Sequence, residues 1–164
     1  KVKDQVDIII VAMHWGDEYS MGVSSEQEEI ANYLSSLGVK LIIGSHPHVV
    51  EPVEYINDGR TFVIYSLGNF ISDQVGIERL TGLMMEVTIN KVETKDGVDV
   101  SVDSPRAELI YTDSNYGGKR NFKVYPYGML NDEILPNYKS YYEEYKAVVN
   151  SRYPELTFGL SRSW

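Results

Sequence analysis

The sequence predicts an α/β protein: a βαβ unit, then β-hairpins, then a C-terminal helix. Three observations carry that prediction. "VDIIIVA" (6–12) is an almost unbroken β-branched run. An amphipathic segment separates it from a second such run, "VKLIIG" (39–44). Beyond them, strand-like alternation recurs on either side of Asp-Gly turns.

The first run reads as a strand buried on both faces, as in a parallel or mixed sheet with cover on each side. "SSEQEEIANYLSSLG" follows as a helix. Ser24 and Ser25 both stand three residues before a Gln or Glu, so a capping box is available in either register. The acidic first turn suits the helix dipole. Ile30, Tyr33, Leu34 and Leu37 form an apolar stripe, and Gly38 suits the position just past the helix end. With "VKLIIG" as the next strand, the unit closes as a right-handed βαβ. "VVEPVEYI" and "TFVIYSLGNF" flank the turn "NDGR" as a hairpin. "GLMMEVTINKVE" and "VDVSVDSPRAELIYT" flank "TKDG" as another. "DSNYGGKRNFKVYPYG" reads as an aromatic loop. "PNYKSYYEEYKAVVNSRYP" reads as a helix with Tyr138, Tyr142, Tyr145 and Val149 on one face.

At 164 residues the chain is long enough for a real core. Its net charge of −9 argues against nucleic acid and anionic membrane surfaces as partners. With no cysteine, disulfides and thiolate metal sites are excluded. No apolar run approaches the ~20 residues of a membrane helix, and no leader pattern is visible.

The chain has three histidines. His14 follows the first strand, in "AMHWGDEY". His46 and His48 follow the second, in "GSHPHV". In a parallel βαβ unit both strand ends emerge at one sheet edge, where α/β proteins bind ligands, so all three are expected to converge there. Imidazole is a common metal ligand near neutral pH. An H-x-H step in extended backbone would aim both rings at one site, stiffened by Pro47. Gly44 permits a tight turn or a close backbone approach. The plainer reading is that the histidines decorate a turn and Pro47 is turn chemistry. Glu18 is a candidate ligand, orienter or general acid/base. Asp17 reads as a solvated loop residue, and Trp15 and Tyr19 as packing. Asn69, after the third strand, could orient a substrate oxygen or simply occupy a turn.

"HWGDEY", "GSHPHVVEPVEY" and "VIYSLGNFISDQ", in this order and spacing over about residues 6–75, resemble successive motifs of the bacterial capsule-biosynthesis CapA family, the poly-γ-glutamate synthesis proteins. That family is similar to calcineurin-like metallophosphoesterases, with a two-sheet α/β sandwich and a two-metal centre. The resemblance implies that His14 and His46 share one divalent ion (Mn, Zn or Fe) and that His48 reaches another. Glu18 and Asn69 match polar positions of the motifs. The family's earlier "GD" and "NNH…D" elements, which supply the bridging carboxylate, have no counterpart here. The resemblance thus implies the C-terminal half of a CapA-type domain over 1–112, with an aromatic-rich loop and helical extension over 113–164. Such a half should bind at most one ion and could self-associate through its incomplete sheet. The implied setting is the bacterial cell surface or exterior, membrane-anchored in the full-length protein. Capsule-synthesis proteins and an anionic capsule or cell-wall polymer are the implied partners. The implied activity is metal-dependent hydrolysis, with non-catalytic polymer binding as the alternative. For the latter the one visible basic cluster is Lys119, Arg120 and Lys123.

Overall fold

A computed structural model describes residues 5–95, 97–115 and 120–160. Among them the chain forms two sheets and a few helices, the mixed α/β sandwich that the resemblance implies. Strand β1 (Ile10–His14) leads into helix α1 (Ser25–Ser36) and then strand β2 (Leu41–Ser45). β1 and β2 pair in parallel, with His14 opposite Ser45. The hairpin β3 (Val53–Ile56) and β4 (Thr61–Ile64) is antiparallel, and β4 joins β2 in parallel. The first sheet therefore runs β1-β2-β4-β3.

Of the two capping boxes, the chain uses Ser24 with Gln27. The Gln27 backbone N–H donates to Ser24 Oγ (3.2 Å), and the Ser24 N–H donates to Gln27 Oε1 (2.8 Å). The buried face of α1 is Gln27, Ala31 and Ser35. Tyr33 and Leu37 of the expected stripe turn out to solvent. Small side chains at i and i+4 let α1 lie close on the sheet.

Short helix α2 (Ile77–Leu80) precedes the long hairpin β5 (Thr81–Thr94) and β6 (Gly97–Asn115). Strand β7 (Arg120–Pro126) adds to β6, so the aromatic stretch read as a loop contains a strand. Its Phe122 and Val124 alternate with Asn121 and Lys123, and the preceding glycines hid that pattern. β6 runs straight through residue 112, and helix α3 (Tyr138–Val149) and strand β8 (Thr157–Phe158) both contact it. Tyr145 and Val149 of α3 are buried, with Tyr138 and Tyr142 packed at the core margin. Lys119 lies outside the described residues, as does the side chain of Arg120.

One face of the first sheet (Ile42, Val63, Tyr65) packs on Ala31 of α1. The other face (Leu41, Phe62, Ile64) packs on Leu83, Val102 and Leu109 of the second sheet. Period-two alternation sends neighbouring residues into the two cores. Strand β1 departs from expectation. It starts at Ile10 and is the sheet's edge, with Ile10 46% exposed. Val11 and Met13 face the α1 layer, but among the described residues nothing covers Ile10 and Ala12. An apolar groove of about 490 Å³, lined by Leu41, Ile43, Phe70 and Met85, continues that uncovered face. No helix among the described residues is long and apolar enough to cross a membrane.

Candidate functional site

Three parallel strands, β1, β2 and β4, end at one edge of the first sheet. Their exits deliver His14, then His46 and His48, then Asn69. The His14 and His46 rings lie 4.4 Å apart between centroids, and those of His46 and His48 6.2 Å apart. The convergence expected from topology is present.

The route to it differs from expectation. His46 has φ 107° and His48 φ 63°, so H-P-H is a left-handed turn and not an extended step. Tyr19 on the facing loop is also left-handed, at φ 66°. Every other non-glycine residue with positive φ among those described is Asn, Asp or Ser. Bulky residues held there cost about 1–3 kcal/mol each and persist where surrounding contacts over-determine them. Those contacts are visible. The Tyr19 N–H donates to Pro47 O (2.8 Å), and the Trp15 N–H to Ser45 O (3.1 Å). Pro47 itself is buried. Trp15 packs, as expected, and its Nε1 donates to Tyr65 O (2.9 Å). Gly44 serves close approach and not a turn: a Cβ there would collide with Tyr65 O and crowd Trp15 Nε1.

Asn69 holds His48. Its Nδ2 donates to His48 O (3.2 Å) and Arg79 O (3.0 Å), both carbonyls that can only accept. This fixes the amide orientation, so Oδ1 is the atom 3.0 Å from His48 Nδ1, and that nitrogen carries the proton. The other ring nitrogen, Nε2, is left facing Glu18 Oε1 at 4.0 Å. The Asn69 amide, read as a candidate for orienting substrate, is thus engaged with the protein and orients an imidazole.

As placed, these side chains do not make a complete metal cage. Among the described residues no group of three or more His, Cys, Asp or Glu is arranged to hold an ion. The donor chemistry suits a divalent cation, but the set present does not fit one unaided.

Residues 1–74 match the family described as bacterial capsule synthesis protein PGA_cap. The PGA biosynthesis protein CapA of Bacillus subtilis (strain 168) is 43% identical over 74 residues, 45% of this chain and 19% of that protein. The capsule biosynthesis protein CapA of Bacillus anthracis is 39% identical over 72 residues, 44% of this chain and 17% of that protein. The match thus spans less than a fifth of the length of either relative. His14, Glu18, His46, His48 and Asn69 all lie within the segment that matches the capsule-synthesis family model.

Beneath the histidines, the same segment holds a residue that sequence reasoning passed over. Glu51 is fully buried. Its Oε2 accepts from Gln27 Nε2 (2.7 Å), while Oε1 has no partner. Burial pushes its carboxyl up to about 7, against the pull of the Gln27 hydrogen bond; Asp17 adds to the rise and Arg152 opposes it. Gly16 (φ +81°) lies flat on the Gln27 amide, so Gln27 links the His14 loop, the α1 cap and the strand after His48. The available signal was an acid set between buried residues in "VVEP". Arg79, also missed, stands outside the capsule-synthesis segment; its guanidinium carbon lies 4.9 Å from the Tyr19 ring centre.

Proposed function

We propose that this chain carries the imidazole edge of a divalent-metal-dependent hydrolytic site in a capsule-biosynthesis protein of the poly-γ-glutamate type. The observation that supports this most is the meeting of three histidines from two strand ends, one of them oriented by Asn69 with its Nε2 turned toward Glu18. In this reading His14 and His46 serve one ion and His48 another, with Mn, Zn or Fe as candidates. Carboxylate donors would come from outside the described residues, in keeping with a match to less than a fifth of each relative. Bound ions would polarise a scissile phosphate-ester or amide-type bond. Glu18, exposed beside His48, would accept or return a proton, and Asn69 would hold His48 in its tautomer. In this reading the working protein acts at the cell surface, on an anionic polymer and beside other synthesis proteins.

A second reading is a protein that uses this fold to bind or guide an anionic polymer without turnover. The two separate on the full-length protein. Bound divalent metal, with turnover of a phosphodiester or a γ-glutamyl amide lost in His46→Ala, is the expected result. Polymer retention by metal-free protein, unchanged by His46→Ala and without turnover, would overturn the hydrolytic reading in favour of the second.

A further inference from the structure

We infer that Arg79 is the anion-binding residue of the histidine edge, offering its guanidinium to a carboxylate or phosphate oxygen of the ligand held there. The inference rests on reading that edge as a ligand site, and it names the ligand's charge class.

Two independent routes tie Arg79 to His48. Through side chains, the Arg79 guanidinium sits against the Tyr19 ring, and that ring stacks on His48 at 6.0 Å and 27°. Through the backbone, Arg79 O accepts from the Asn69 amide that holds His48 Nδ1. Tyr19 makes a firm platform despite being 48% exposed, because its left-handed backbone is pinned to Pro47. An arginine over an aromatic face is held in place while its N–H groups stay available.

Electrostatics gives the position its meaning. The chain carries −9, and Asp17 and Glu18 are exposed on the His14 loop. An anionic ligand approaching the histidines there would meet repulsion from these two carboxylates. Arg79 supplies an opposing charge against the Tyr19 ring that stacks on His48. Its ion-pair partner among the described residues is Glu78, whose Oε1 lies 3.2 Å from Arg79 Nε. That contact engages the side of the guanidinium. The end-on pair of Nη groups is the face that grips an oxyanion with two parallel hydrogen bonds. Both side chains of the pair are about one-third exposed, 31% and 36%, so an incoming oxyanion can compete with Glu78.

The test is a titration of the chain followed through the His48 ring resonances, in the presence of chelator. Inorganic phosphate is the probe in one arm and glutarate, a dicarboxylate, in the other. At least one should shift the His48 resonances saturably, and the tighter of the two identifies the source of the oxyanion. Arg79→Gln should weaken that binding by about tenfold or more, and Arg79→Lys, which keeps the charge but not the fork, by less. Tyr19→Leu should fall between, since the charge stays and the platform goes. Thermal melts establish that each variant is folded. Equal affinity in wild type and folded Arg79→Gln, or no His48 response to either probe, would overturn the inference. A separate manganese titration of the full-length protein, read as paramagnetic broadening of these histidine signals, reports on the metal reading alone. Arg79-dependent oxyanion binding without manganese broadening would leave this inference standing and remove the hydrolytic one. The converse pattern would do the opposite.

Discussion

Glu51→Gln should make this protein more stable at neutral and alkaline pH. The carboxyl is fully buried, with one oxygen bonded to Gln27 and the other without a partner. Burial raises it from its ordinary 4.5 to about 7. The native state therefore keeps a proton that the unfolded chain has already released. Between those two values stability falls as pH rises; above about 7 the loss is complete and the curve flattens. At 1.36 kcal/mol per pKa unit the full loss is about 3 kcal/mol, of which Gln, similar in shape and never charged, should recover about 1–3 kcal/mol. The recovery is partial because the Gln amide N–H donors inherit the unpartnered position. Urea melts of both proteins from about pH 5 to about pH 8, followed by fluorescence of buried Trp15, measure the difference directly. The difference should grow through that window, with wild type falling away from the variant. Parallel pH profiles, or a less stable variant at about pH 8, would refute the reasoning. They would mean that Glu51 is ionised and satisfied by a cation or donor at its free oxygen.

Gly44→Ala should cost more than about 3 kcal/mol or prevent folding, because the new Cβ collides with the Tyr65 carbonyl of the neighbouring chain segment; solubility and melting temperature check it. Asn69→Ala should destabilise by about 2 kcal/mol and release His48 into a mixture of tautomers, visible in its ring ¹⁵N shifts. An unchanged tautomer would show that another group holds the ring. Ser24→Ala should cost about 1 kcal/mol in a urea melt, since Gln27 loses the cap oxygen its backbone N–H uses.

The order of elements and the edge at which the histidines meet were legible in the linear sequence because they follow from local pattern and from the handedness of parallel crossovers. β-branched runs, a capping box and Asp-Gly turns are short-range signals, and parallel pairing then carries His14 to His46 across 31 intervening positions. What needed the third dimension is of another kind. Whether β1 is central or an edge depends on which chain lies beside it, and Ile10 reads the same in either place. The left-handed backbone of His46 and His48 is imposed by contacts with the facing loop, against the preference of the residues themselves. The strand β7 gained its identity from pairing with β6, since glycines and aromatics alone also describe a loop. Glu51 became a buried, half-satisfied acid only once α1 closed over it, because the free energy of a charge is set by the solvent and dipoles around it and not by its neighbours in the chain.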